Sequence, residues 1–348
     1  GAVVSVKTPL AITSPLATTD VKCEGQAISY TTGVSGDGPF TYTWILNGSA
    51  VGTNSATYAK TSVLTADSGR YIVTIQGSMA CPALRDTIDI DVNKAPQIVT
   101  QPSGASPICL GTNIVLTTAI ANQTALEWHK QGIGSLSQSG TTYTSSGSTT
   151  ADAGNYFIIA KAQPACSDVT SNLFNVVINI PAIIASQPVG MDLLETPAGS
   201  HTMFVIASGT GPLSYQWYKN GVMIPTATAS SFAITNYVAA ADSGLYYCEV
   251  KSPAPCSNTV LSSIAKIATV KCPVIMFDTL RAVNICAGRP FSLDVKATGA
   301  LSYQWFRNNV AIPNANFANY SIPAANPAHT GVYRCRVFAF NEAICTPT

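Results

Sequence analysis

The chain has 348 residues, a formal net charge of +1, and only 10% charged against 47% hydrophobic residues. Charged residues usually make up about 25% of a soluble protein; this scarcity and the lack of any Lys/Arg cluster exclude the electrostatic footprint of a nucleic-acid or anionic-membrane binder. The aromatic content is unlike that of a disordered linker, and no apolar run approaches the roughly 18 residues of a membrane span.

The N-terminus reads Gly1-Ala-Val-Val-Ser-Val-Lys7. It has no charged segment followed by a long apolar stretch, so an export address is expected outside this chain. From here the sequence falls into four copies of one module, and a fixed period takes precedence over any other reading. Trp44, Trp128, Trp217 and Trp305 stand 84, 89 and 88 residues apart. Each is followed 27 to 29 residues later by a tyrosine, in Asp67-Ser-Gly-Arg-Tyr71, Asp152-Ala-Gly-Asn-Tyr156, Asp242-Ser-Gly-Leu-Tyr246 and the altered His329-Thr-Gly-Val-Tyr333. The expected organisation is residues 9–94, 95–180, 181–271 and 272–348, which leaves no room for a separate catalytic domain.

Within a copy, short runs rich in Val, Ile, Thr, Tyr and Phe alternate with Gly, Pro, Asn and Ser turns, as in Asn113-Ile-Val-Leu-Thr-Thr118 and Phe174-Asn-Val-Val-Ile178. This spacing predicts an all-β antiparallel sandwich. Tyr215-Gln-Trp217-Tyr-Lys-Asn-Gly221 and Tyr303-Gln-Trp305-Phe-Arg-Asn-Asn309 alternate inward and outward side chains before a turn of residues that tolerate positive φ, so each tryptophan is a core residue of a central strand.

Ten cysteines at recurring positions point to an oxidising compartment. Cys23-Glu-Gly25, Cys109-Leu-Gly111 and Cys286-Ala-Gly288 precede strand-like runs, and Cys81, Cys166, Cys256 and Cys345 follow the repeat tyrosines by 10 to 12 residues. The simplest connectivity joins the two classes within each copy: Cys23 to Cys81, Cys109 to Cys166, Cys286 to Cys345. Such loops of about 60 residues are worth about 4 kcal/mol each in the chain-entropy model. The third copy has Pro197-Ala-Gly199 in place of the motif, so Cys256 is paired with Cys248 across a hairpin, leaving Cys272 and Cys335 to each other by elimination.

Taken together, the recurring Trp and the Asp-x-Gly-x-Tyr corner resemble the immunoglobulin superfamily over essentially the whole chain. The resemblance implies that Trp44, Trp128, Trp217 and Trp305 lie on strand C, and that Tyr71, Tyr156, Tyr246 and Tyr333 form corners before strand F, bonded to nearby backbone. The family's strand-F cysteine survives only as Cys248 and Cys335, with Val73 and Ile158 in its place in the first two copies. No strand-B cysteine faces them, so the inter-sheet bridge of antibody domains is absent. Scarce charge and abundant Thr make the array similar to the Ig-like repeats of large bacterial cell-surface proteins, including adhesins of the type IX secretion and gliding kind.

Copies one to three close with a strand running into a linker: Ile88-Asp-Ile-Asp-Val-Asn-Lys-Ala-Pro96, Phe174-Asn-Val-Val-Ile-Asn-Ile-Pro181 and Ile267-Ala-Thr-Val-Lys-Cys-Pro273. Copy four reaches Cys345-Thr-Pro-Thr348 without one, while residues 1–8 read as an orphan strand G whose Val3, Val4 and Val6 are candidate donors. Two explanations stay open: neighbouring repeats of a longer array supply the strand, or the N-terminal strand of one chain completes copy four of the next. The second arrangement is head to tail and builds a filament.

No catalytic, metal or cofactor group is expected. His129, His201 and His329 lie in different copies without repeated acidic or cysteine partners, and Asp67, Asp152 and Asp242 are corner residues. Asn47-Gly-Ser49, Asn122-Gln-Thr124 and Asn319-Tyr-Ser321 fit the N-glycosylation sequon. Thr87 and Thr279, in Asp86-Thr-Ile88 and Asp278-Thr-Leu280, resemble an O-glycosylation motif of bacteria that use type IX secretion. The reading is an extracellular, cell-surface structural or adhesive stalk, elongated, with itself and an unknown surface ligand as partners. The alternative is a ligand-recognition module, a receptor or a carbohydrate-binding appendage, for which aromatic-rich loops such as Val337-Phe-Ala-Phe340 would be the sign.

Overall fold

The computed structural model describes residues 1, 3–77, 81–194, 198–278, 281–339 and 344–345, with the side chains of 277 and 278 left out. The chain is a tandem array of four immunoglobulin-like β-sandwiches, its regular secondary structure almost all strand, and it divides into two compact units, Gly1–Asn179 and Ile180–Thr348. Each unit holds two copies.

Copy one shows how the sequence builds the sandwich. The tryptophan strand Thr41–Leu46 lies between the hairpin strand Ser49–Val51 and the tyrosine strand Gly69–Gln76, which pairs in turn with Leu84–Asn93. Thr19–Cys23 completes this sheet, running parallel to Leu84–Asn93 with Cys23 opposite Asn93. Ile28–Thr31 with Thr57–Lys60, and Ala11–Ser14 with Gly33–Ser35, form the facing layer. Period-two alternation sends Tyr71, Val73 and Ile75 inward from one strand and Ile88, Ile90 and Val92 from the next, around Trp44.

The other copies repeat this plan, each with its own core around Trp128, Trp217 or Trp305. Hairpin turns after three of the tryptophan strands have two residues at positive φ, Asn47-Gly48, Asn220-Gly221 and Asn308-Asn309. This is the geometry a two-residue hairpin needs to match strand twist. Two expected strands differ in extent. The run from Asn113 continues as Ile114–Ala121, and the run from Phe174 is broken into Phe174–Val176 and Ile178–Asn179, because the Val177 N–H donates to Ser106 Oγ at 3.0 Å instead of to a strand.

In copies one to three the tyrosine strand is flanked on both sides, by the tryptophan strand and by a closing strand. In copy four Tyr333–Phe338 pairs with Ser302–Arg307 alone among the described residues. Residues 3–10 belong to no strand, and Val3, Val4 and Val6 are 95%, 84% and 91% exposed. A single extended segment without a neighbouring strand has no ladder to join, so the N-terminal strand starts only at Ala11, where Gly33–Ser35 pairs with it.

Candidate functional site at the repeat junctions

Each tryptophan is buried and spends its one polar atom on backbone: Nε1 donates at 2.9 Å to the carbonyls of Ser55, Gly140, Ala229 and Phe317 for Trp44, Trp128, Trp217 and Trp305. The corner tyrosines donate to the carbonyl four residues earlier, Tyr71 to Asp67 at 3.1 Å, Tyr156 to Asp152 at 2.8 Å, Tyr246 to Asp242 at 2.7 Å and Tyr333 to His329 at 2.8 Å. Burial, then the nearby Asp242 charge, pushes the Tyr246 hydroxyl up to about 12, so it remains a donor at any physiological pH.

The corner aspartates fasten the turn. Asp67, Asp152 and Asp242 accept from the backbone N–H of Leu64, Thr149 and Val238 at 2.8, 2.7 and 2.8 Å. In copy four His329 Nδ1 takes this place, accepting from Asn326 N at 3.1 Å. Burial opposes ionisation of Asp67, but the Leu64 N–H and the Lys60 ammonium outweigh it and hold the carboxyl below the ordinary range. Asp152 is lowered by the N–H and hydroxyl of Thr149. A basic residue two positions after the tryptophan, absent from the sequence reading, also serves this corner. Lys130 Nζ donates to Ala151 O at 2.5 Å, Lys219 to Ala241 O, and Arg307 to Ala328 O at 2.6 Å. The repeated Trp-x-Lys/Arg spacing was the available signal.

The remaining polar candidates are occupied structurally. His129 bonds Glu127 and stacks on Phe157, and His201 contacts the Val189 carbonyl. Among the described residues no group of His, Cys, Asp and Glu could hold a metal. All three sequon asparagines have engaged amides: Asn47 bonds Ser68 O and Arg70 N, Asn122 donates to Ala95 O at 3.4 Å, and Asn319 donates to Asp294. Thr87 is exposed on its strand, and Thr279 lies outside the described residues.

The cysteines correct the expected connectivity. Cys23 is bonded not to Cys81 but to Cys166 of the next copy, with Cα atoms 5.0 Å apart, and Cys345 is bonded not to Cys286 but to Cys272, at 5.3 Å. Cys109 and Cys256 are also disulfide-bonded, whereas Cys81, Cys248, Cys286 and Cys335 are free thiols. The Cys109–Cys166, Cys248–Cys256 and Cys272–Cys335 pairings therefore fall as well.

The reason lies in the length of the sandwich. Cys23 sits in the turn beside the tyrosine corner, where Gly25 N donates to Val63 O at 2.8 Å, whereas Cys81 follows the far end of Gly69–Gln76. Eight residues at about 3.3 Å each separate the two ends by about 26 Å, and a disulfide needs Cα atoms within about 7 Å. Cys166 occupies the far-end loop of copy two, which is the end that meets Cys23. Around this bond Asn93 Nδ2 donates to Pro164 O at 3.0 Å, Gln26 Nε2 to Ala165 O at 3.4 Å, and Cys166 Sγ lies 3.6 Å from Asn93 O.

Copy three lacks the Cys-x-Gly motif, and the same task passes to Cys272, just beyond the neighbouring strand Ala265–Val270. Its bond to Cys345 is packed among Val270, Ala339, Leu194 and Ile344. Gly299 approaches this link closely: at φ +71°, a Cβ there would lie 3.3 Å from the carbonyls of Lys271 and Cys272. Cys248 and Cys335 are different. Both lie on tyrosine strands, and burial, only partly offset by the N–H of Gln216 or Gln304, pushes each thiol up to about 11.

Comparisons with known proteins agree with this fold. No family model matches the chain. The mouse protein "Low affinity immunoglobulin gamma Fc region receptor II" is 26% identical over 172 residues, 47% of this chain and 50% of that protein. The human "Mucosa-associated lymphoid tissue lymphoma translocation protein 1" is 24% identical over 147 residues, 38% of this chain and 18% of its own length. The chain thus spans half or less of the curated relatives it matches. A three-Ig structure of titin domains I67–I69 superposes with a TM-score of 0.57 at 15% identity, covering 75% of this chain and 99% of that one, which shows a shared tandem Ig fold. No described helix is long and apolar enough to cross a membrane, which says nothing of strand-built barrels.

Proposed function

We propose that this chain is part of an extracellular structural and adhesive stalk, a fibre of Ig-like repeats whose junctions are covalently stapled. The observation that carries the reading is the Cys23–Cys166 bond, which joins one sandwich to the next across 143 residues of sequence. A bridge inside a sandwich protects that sandwich; a bridge between sandwiches transmits load past their junction. The two direct hydrogen bonds from Asn93 and Gln26 contribute about 1 kcal/mol each, so the staple is what keeps the junction closed under tension. Disulfides of this kind persist in oxidising surroundings, which favours an extracellular location.

No catalytic role is part of this reading: the corner aspartates and the histidines are committed to turns and packing. Low charge and abundant Thr favour a bacterial cell-surface array of the type IX secretion kind, with the exposed Thr87 as a glycosylation site. Neighbouring repeats of a longer array, or the N-terminal strand of a second chain joined head to tail, are the two candidates for a closing strand beside Tyr333–Phe338, which pairs with Ser302–Arg307 alone among the described residues. Negative-stain microscopy of the native assembly, with the intact mass of the dissociated subunit, tests the proposal. Fibres are expected; compact single particles at all concentrations would remove it.

A further inference from the structure

Deepening the adhesive part of the stalk reading, on which it rests, we propose that the outward sheet face of copy two binds a neutral glycan. Phe157 is the floor for a sugar ring, and a row of amides beside it takes the hydroxyls. The strands are Ala125–Lys130 and Gly154–Lys161, flanked by Val169–Thr170 and Phe174–Val176. Trp128, Tyr156 and Ile158 point into the core, so the residues between them line the opposite face.

That face carries three kinds of contact, set side by side across the strands. In the middle Phe157 stands opposite His129 and stacks on it, with ring centroids 5.2 Å apart and the planes at 21°. On one side is a ladder of amides: Asn155 Nδ2 donates to Gln131 Oε1 and Asn175 Nδ2 donates to Asn155 Oδ1, both at 2.8 Å. The direction of these bonds leaves an NH₂ group on exposed Gln131 at one end and a carbonyl oxygen on exposed Asn175 at the other. On the other side Lys161 pairs with Asp168 at 3.1 Å and with Glu127 at 3.7 Å, and His129 bonds Glu127.

His129 takes one face of the Phe157 ring, and the rest of that side chain borders a cleft of about 350 Å³, within the range of about 300–1,000 Å³ for ligand sites. Thr170 and Leu173 contribute to it from the closing edge, Gln131 and Gly132 from the hairpin. Leu173 lies where the closing strand is broken between Thr170 and Phe174, and it is 53% exposed.

The chemistry of this lining selects the ligand. An apolar ring beside a few fixed polar groups suits a pyranose, whose C–H face covers an aromatic ring while its edge presents paired hydroxyls to the donor and acceptor of an amide. The cations are already spent. Lys130 Nζ donates to Ala151 O at 2.5 Å and Lys161 is paired with carboxylates, so among the described residues no lining cation remains to neutralise a uronate or a phosphate. The other copies lack the combination: Ile72, Tyr247 and Arg334 stand at the Phe157 position, and Arg70, Leu245 and Val332 at that of Asn155. Copy three keeps a stacked pair, Tyr218 on Tyr247 at 5.0 Å, but there Leu245 faces Lys266 in place of the amide ladder.

The test is biosensor binding of the full chain to surfaces carrying mixed-linkage β-glucan, galactomannan or starch, with polygalacturonate as the acidic counterpart. Binding to at least one neutral polysaccharide and not to polygalacturonate is expected. Phe157→Ala is expected to weaken it at least about tenfold. Gln131→Ala and Asn175→Ala, exposed changes that leave the core alone, are expected to weaken it roughly threefold or more, and Ile72→Ala, at the matching place in copy one, to leave it unchanged. No binding to any neutral surface, binding to polygalacturonate alone, or neutral binding that survives both Phe157→Ala and Gln131→Ala would overturn the site. Self-association in sedimentation that Phe157→Ala abolishes would also overturn it, by making this face a contact between copies of the chain. Each of these outcomes leaves the stapled stalk standing; that reading fails instead on the absence of native fibres, whatever the polysaccharide surfaces show.

Discussion

The inter-repeat staple makes a prediction that a bridge inside a sandwich cannot make: Cys166→Ser, a change in copy two, weakens copy one. With the Cys23–Cys166 bond intact and copy two folded, unfolding copy one releases only a closed loop running from Cys23 through the linker near Lys94. That loop has roughly 70 residues, for which the chain-entropy model gives about 4 kcal/mol, with measured disulfides typically contributing about 2 to 4 kcal/mol. At about 1.4 kcal/mol per factor of ten, opening of copy one rises by roughly 30- to 1,000-fold. Native-state hydrogen exchange on the Gly69–Gln76 amides reads it, because these core amides exchange only through that opening. Cys23→Ser is expected to give the same acceleration and Cys81→Ser almost none. Unchanged Gly69–Gln76 rates in Cys166→Ser, with acceleration in Cys81→Ser, would refute the reasoning.

Other substitutions probe the corners and the thiols. Tyr246→Phe removes the 2.7 Å bond to Asp242 O and is expected to lower the stability of copy three by about 1 kcal/mol in urea unfolding. Gly69→Ala is expected to be worse by about 1 to 2 kcal/mol from backbone strain alone, because φ is +141° and the new Cβ would fall on the Asn47 amide, measured by the shift in melting temperature. Asp152 is depressed in the folded state, so its contribution is fully present above the unfolded value of about 3.9 and is lost as pH falls through the lower folded value. Asp152→Asn should therefore flatten the acid limb of copy-two stability between pH 5 and 2. In the dispersed chain at pH 8, iodoacetamide is expected to label Cys286 and Cys81 well before Cys248, which is 0% exposed with its thiol near 11.

The fold was legible because its signals are local and repeated. A tryptophan on an alternating strand, an Asn-Gly turn and an Asp-x-Gly-x-Tyr corner each dictate their surroundings within about 30 residues. The bridges were not legible in the same way. Position in the repeat assigns a cysteine to a class, yet Cys81 and Cys166 belong to one class and differ in whether a preceding copy of this chain meets them. The eight-residue strand Gly69–Gln76, which carries Tyr71 near its start and leads to the Cys81 loop, separates the ends of the sandwich, and counting its rise would have excluded Cys23–Cys81. Cys272 was harder, because it reaches the junction from the neighbouring strand and matches no motif. The Trp-x-Lys/Arg residues were visible as a repeat but not as a role, since the carbonyls they bond lie about 21 residues away across the sandwich.

Disulfide mapping of the unreduced native protein by mass spectrometry tests the central claim most directly. The stapled array predicts Cys23–Cys166 and Cys272–Cys345 peptide pairs from a single chain. Recovery of Cys23–Cys81 instead of Cys23–Cys166 would place that bridge inside its own sandwich and contradict a covalently joined series of repeats.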